Sequence, residues 1–268
     1  MFCSRLILLG FFCLLLIVNV FSKSTALASG QAPIIAVASN MRLTIEKIGQ
    51  SFQKETGLSV RFSFGSSGNL TRQIFQGAPF EMFLSADEDY VFRLAEAGKT
   101  IDRGKIYAYG RIVAFTPTNS PLKTADFPHG YQSIFGTNLS NRYAIANPEL
   151  APYGRAAKQA LIHTGLWETM KPYLIFGENI SQTAQFSLSG SALGGIIAYS
   201  QALTPQFAAS GRYKLIPTEF HQPLGQRMAL VNGASATTME FYKYLEREPA
   251  LEIFRSNGYA LVRVGAQH

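Results

Sequence analysis

The chain holds only two cysteines, Cys3 and Cys13, and both fall within the first 28 residues. Without that segment no thiol remains, which excludes disulfides, thiolate catalysis and Cys-ligated metals from the mature chain. Charged residues are 15% of the total, low for a cytosolic protein yet too many for a multi-span membrane protein. Four histidines, His129, His163, His221 and His268, are scattered and form no HExxH or similar metal spacing. No G-x-S-x-G nucleophile elbow occurs, and Gly65-Ser66-Ser67-Gly68 lacks that order. There is no G-x-x-x-x-G-K-[ST] loop, so nucleotide hydrolysis by that route is excluded. Nor is there a Lys/Arg cluster interleaved with aromatics, so nucleic acid is set aside as a partner. Internal repeats and low-complexity stretches are absent as well.

What is present begins with an export signal. Arg5 precedes an apolar run from Leu6 to Val18, and polar residues then lead to the small-x-small pattern Ala26-Leu27-Ala28. That order predicts a secretory signal peptide over residues 1–28, cleaved after Ala28. The competing reading, an uncleaved anchor, asks for about 20 apolar residues, more than this run supplies. Cys13 follows Gly10-Phe11-Phe12, which does not resemble a lipid-attachment box, so a freely soluble periplasmic product is expected. Cleavage removes Arg5 and Lys23 and no acid, lowering the formal charge from +7 to +5. A moderately basic surface favours anions in general.

The rest alternates strand and helix signals, which predicts an α/β fold with mostly parallel sheets. Ile34–Ala38 reads as a strand. Met41, Ile45, Ile48 and Phe52 then recur at helical spacing up to Gly57, a helix-ending residue. Val60, Phe62 and Phe64 alternate like a strand, Asn69–Gln76 reads as a helix closed by Gly77, and Asp87–Ala97 as one closed by Gly98. Two long extended runs, near 106–116 and 222–231, are candidates for paired crossings between two lobes.

Ligands in such folds sit beyond the carboxyl ends of strands, where helices begin. Four junctions fit: Ser39-Asn40, Ser66-Ser67-Gly68, Tyr153-Gly154 and Glu178-Asn179-Ile180. Each places unpaired N–H groups and the positive end of a helix dipole together, so several converging junctions make an anion site without a charged side chain. Ser39 and Ser67 add hydroxyl donors. Ordinary helix capping explains any one of these junctions taken alone. Asp87-Glu88-Asp89 reads as an acidic helix start, and Tyr107, Tyr109, Phe115 and Trp167 as core.

Ala36–Asn40, Phe62–Gln73 (FSFGSSGNLTRQ), Gln76–Asp87 (QGAPFEMFLSAD), Ala146–Gly154 and Gly177–Gln185 (GENISQTAQ) closely resemble the periplasmic molybdate-binding proteins of the ABC importer family. The resemblance covers nearly the whole mature chain in order. It implies a two-lobed type II periplasmic-binding-protein-like fold with a hinged interlobe cleft, with lobe 1 over 29–110 and 224–268 and lobe 2 over 111–223. It implies a binding protein, not an enzyme, that captures molybdate or tungstate and delivers it to an ABC permease at the inner membrane. Ser39, Asn40, Ser67, Tyr153 and Ile180 match the ligand-contacting positions, touching the anion's oxygens rather than the metal, and no cofactor is implied. Some members place a tyrosine hydroxyl on the ligand from a Leu-Gly-Ile-Val-Tyr strand. Here Ala198 stands at that position and Tyr199 one residue later, on the opposite face of a strand. Glu81-Met82 looks structural. A monomer is expected, because cleft closure needs no second chain. Another tetrahedral oxyanion, or a periplasmic enzyme acting on a phosphate or sulfate ester, are the alternative functions. The sensing half of a transcription regulator shares this fold, but the signal peptide and the lack of a DNA-binding segment disfavour it.

Overall fold

A computed structural model of the chain describes residues 31–261 apart from 136, 137 and 139. The expected signal peptide, with Cys3 and Cys13, lies outside the described residues. Among those that are described, no helix is long and apolar enough to cross a membrane.

The local chemistry of the first unit sets the pattern for the rest. β1 (Ile34–Ala38) is fully buried from Ile35 onward, as a parallel strand covered on both faces should be. A short turn of 3-10 helix at Ser39–Met41 leads into α1 (Arg42–Thr56). That helix buries Ile45, Ile48 and Phe52 on one stripe and ends at Gly57, which is left-handed with φ 72° and donates to Gln53 O. Next come β2 (Arg61–Gly65), α2 (Ser67–Phe75), β3 (Phe80–Leu84), α3 (Asp89–Glu96) and β4 (Lys105–Gly110). The second half holds β5 (Ile112–Pro117), α4 (Tyr131–Phe135), β6 (Tyr143–Ala146), α5 (Pro152–His163), α6 (Trp167–Met170), β7 (Leu174–Gly177) and α7 (Ile180–Leu188). It continues through β8 (Gly195–Ala198), α8 (Tyr199–Ala202), α9 (Pro205–Ser210) and β9 (Gly211–Leu215). β10 (Leu224–Leu230), α10 (Ala236–Tyr244) and α11 (Glu248–Ser256) complete the order.

These strands form two five-stranded sheets, β2-β1-β3-β10-β4 and β7-β6-β8-β5-β9. In the first, β1 runs parallel to β2 and β3, while β10 is antiparallel to β3 and β4. In the second, β6 is parallel to β7 and β8, and β5 antiparallel to β8 and β9. Each sheet is covered on both faces. Ile35 and Val37 pack with α1, α10 and α11 residues, whereas Ala36 packs with Leu70, Ile74 and Tyr90 of α2 and α3. Likewise Ile112 and Ala114 face one core of the second sheet, and Val113 and Phe115 the other. The alternation follows from the two-residue period of a strand.

Two expectations about long strands need correction. The run near 106–116 is two strands of two different sheets, joined through Arg111 alone. It does carry the chain from one sheet to the other. The run near 222–231 does not. β10 belongs wholly to the first sheet, and the return passage is the segment before it, residues 216–223.

Candidate functional site

Where the carboxyl ends of β1, β2 and β3 face the starts of α5 and α7 there is a cavity with at most about 180 Å³ of empty volume. Even that upper bound is below the ~300–1,000 Å³ of sites for drug-sized molecules. Ser39, Asn40, Ser67, Tyr153 and Ile180 all line it, with Ser66 and Ala86 among their neighbours. All five residues singled out from the sequence are thus gathered at one place. No lining residue carries a formal charge.

The two readings of the helix starts, capping and anion binding, separate by a single residue. Ser66 caps α2, its Oγ accepting from Asn69 N at 3.3 Å. Asn179 caps α7, its Oδ1 accepting from Ser181 N at 3.0 Å and Gln182 N at 3.1 Å. α2 begins at Ser67, earlier than the Asn69 start that the sequence pattern suggests, and α5 begins at Pro152. Ser67, Tyr153 and Ile180 therefore all stand in first turns, where a backbone N–H has no intrahelical acceptor. Among the described residues none of these three N–H groups finds another acceptor.

The serine hydroxyls are oriented by what they accept. Ser67 Oγ takes the Ala86 N–H at 3.0 Å, and Ser39 Oγ takes the Ser181 N–H at 3.4 Å. Each keeps its own proton to donate. Neither hydroxyl has a histidine or carboxylate partner among the described residues, so no base is placed to make either one a nucleophile. The same residues hold no group of three or more His, Cys, Asp or Glu able to bind a metal.

Around the cavity the two sheets' elements touch directly. Gly68 N–H donates to Leu150 O at 2.9 Å, Tyr90 Oη to Glu149 O at 3.3 Å and Ser181 Oγ to Ser39 O at 3.1 Å. Asn69 Nδ2 donates to Glu178 Oε1 at 2.5 Å. Asp87 forms an ion pair with Arg155, with Asp87 also accepting from Ser85 Oγ at 3.2 Å. Burial lowers the Arg155 pKa from its ordinary value. A Cβ on Gly68 would lie 2.8 Å from Tyr90 Oη and 2.9 Å from Leu150 O, so only glycine permits this approach. Of the acidic trio, Asp89 does open α3, while Glu88 pairs with Arg227.

Beneath Asn40 lies a buried polar cluster that sequence reasoning missed. It comprises Gln226 of β10 and the hydroxyls of Tyr107, Tyr153 and Tyr259. A glutamine with no exposure inside the apolar strand LGQRMAL was the available signal. Burial above all, then neighbouring phenols, holds the Tyr153 pKa well above its usual range, and burial pushes Tyr259 to about 12. These hydroxyls keep their protons at neutral pH. Tyr199 starts α8, packs its ring 5.6 Å from that of Tyr213 and does not line the cavity.

Residues 34–260 match the family described as bacterial extracellular solute-binding proteins. The chain is 35% identical over 235 residues to the molybdate-binding protein ModA of Rhodobacter capsulatus, covering 87% of this chain and 89% of that one. To ModA of Escherichia coli it is 31% identical over 244 residues, covering 88% and 91%. The periplasmic molybdate-binding protein of Azotobacter vinelandii superposes with a TM-score of 0.78 at 26% identity, over 86% of this chain and all of that one. The sulfate-binding protein SubI of Mycobacterium tuberculosis shares the fold alone, with a TM-score of 0.69 at 14% identity over 87% of each. With a two-sheet α/β fold, an uncharged cleft of donors and relatives that are binding proteins rather than enzymes, the chain belongs to the bacterial extracellular solute-binding protein family.

Proposed function

We propose that the protein captures molybdate, and tungstate with it, outside the cytoplasm and delivers it to an ABC permease. The carrying observation is the cavity itself, which is small, uncharged and lined by N–H and O–H donors that lack protein acceptors. A tetrahedral dianion offers only acceptor oxygens, and each hydrogen bond to a charged group contributes about 1.5–3 kcal/mol. Ser39, Asn40, Ser67, Tyr153 and Ile180 are the contacting residues, touching oxygens and not the metal. Because no counter-ion grips the anion, opening the cleft at the permease releases it without breaking an ion pair to the ligand.

Lobe 1 comprises 29–110 and 224–268 and lobe 2 comprises 111–223, a division supported by the membership of the two sheets. The mature protein, cleaved after Ala28, works as a periplasmic monomer. Thermal unfolding of the purified mature chain with molybdate, tungstate, sulfate and phosphate in turn tests the reading. Ligand at 100 times its Kd stabilises the fold by about 2.7 kcal/mol. Shifts with molybdate and tungstate but not with sulfate or phosphate are expected. Selective shifts with sulfate or phosphate would reassign the ligand to another tetrahedral oxyanion, and turnover of their esters would refute the binding-only role.

A further inference from the structure

Asn40 is 4% exposed and lines the cavity, yet its amide is turned inward. Nδ2 has three acceptors in reach, Gln226 Oε1 at 2.9 Å, Tyr259 Oη at 3.1 Å and Tyr153 Oη at 3.3 Å, for two protons. Its Oδ1 is buried with no donor. Tyr153 Oη also receives Gln226 Nε2 at 3.1 Å, so the hydroxyl accepts twice while its own proton has no acceptor among the described residues. One acceptor without a donor and one donor without an acceptor therefore sit in the same cluster.

Exchanging the oxygen and nitrogen ends of both amides leaves the packing unchanged, because the two ends are nearly the same size. Gln226 Nε2 then donates to Asn40 Oδ1 and to Tyr107 Oη, whose proton goes to Ser85 O, already 3.3 Å away. Tyr153 donates to Gln226 Oε1. Asn40 Nδ2 then takes the buried place of Oδ1, where no described group accepts from it, on a residue that lines the cavity. Asn40 cannot reverse by itself, since its Oδ1 would then meet Gln226 Oε1 across 2.9 Å, acceptor against acceptor.

We propose that Gln226 is a positioning residue that decides which end of the Asn40 amide meets the ligand, and that the two amides reverse together when an oxyanion enters. The inference rests on the oxyanion reading above. It gives the site a chemical discriminator. An anion with acceptor oxygens only drives the reversal, whereas a ligand presenting an O–H is met by Oδ1 in the unreversed state. The surrounding phenols are held protonated by burial in both arrangements, but the Tyr153 proton finds an acceptor only in the reversed one.

Side-chain amide signals of Asn40 and Gln226 in ¹⁵N-labelled wild-type protein, assigned with Asn40→Ala and Gln226→Met, are followed while molybdate is added. Both NH₂ pairs are expected to move together along one saturation curve. Gln226→Met, close in shape but without hydrogen bonds, is expected to weaken molybdate binding about tenfold. Movement of the Asn40 pair alone, or unchanged affinity in folded Gln226→Met, overturns the coupling while leaving molybdate capture intact. Wild-type protein that binds no oxyanion overturns the functional reading and this inference together.

Discussion

Replacing Ser67 by alanine separates the two roles of one hydroxyl. Ser67 is 1% exposed at the first position of α2, and its Oγ accepts the Ala86 N–H at 3.0 Å. Its remaining proton is the donor to the bound anion in the proposed complex. Losing a hydrogen bond to a charged acceptor costs about 1.5–3 kcal/mol, so the molybdate Kd should rise about ten- to hundredfold. The Ala86 N–H also loses its acceptor, at about 1–3 kcal/mol if it stays buried, and that loss falls on the free protein too. For a domain of this size each kcal/mol lowers Tm by about 2–4 °C. Titration calorimetry with molybdate reads the first effect and scanning calorimetry of the ligand-free protein the second. A lowered Tm with an unchanged Kd would make Ser67 purely structural and would refute its place in the site.

Three further outcomes are expected. Asp87→Asn removes the charge facing Arg155 across the cavity rim. The side chains are 11% and 34% exposed, so the loss should be about 1 kcal/mol, between surface and buried pairs. Weaker molybdate binding that converges on wild type at high salt would confirm it; equal affinities at low salt would count against it. Gly68→Ala sets a methyl against Tyr90 Oη and Leu150 O, so molybdate affinity should fall, as read by titration calorimetry; an unchanged affinity would count against the approach described. Glu81 is buried enough to raise its pKa, but hydrogen bonds from Ser235 and Thr238 outweigh this and lower it below the ordinary 4.5. Its stabilisation is therefore complete above that ordinary value and disappears as pH falls through the lower folded one. Glu81→Gln should destabilise at pH 7 by about 1–2 kcal/mol, with the gap to wild type closing in urea melts below pH 4.

Local chemistry made much of this molecule legible. Glycine after the helical period of Met41–Phe52 marks the end of α1 correctly, because a left-handed cap is a property of one residue. Helix-start signatures marked four junctions, and the family resemblance picked Ser39, Asn40, Ser67, Tyr153 and Ile180 from them; all five line one cavity. What stayed hidden depends on pairing across the chain. Only Arg111 separates β4 from β5, so the sequence reads as one run while the chain changes sheet. Tyr107 reads as core and is core, yet its hydroxyl serves a polar cluster assembled from residues up to 219 positions apart. The Asp87–Arg155 pair likewise joins positions 68 residues apart, and nothing near either one announces the other.

The place of β10 in the first sheet has a consequence for how the molecule is made. It lies between β3 and β4, so β4 has no strand neighbour until residues 224–230 arrive, more than a hundred positions later in the chain. A polypeptide emerging N-terminus first can assemble every strand of the second sheet before the first sheet is whole. Closing a loop of that length delays the pairing that completes the structure.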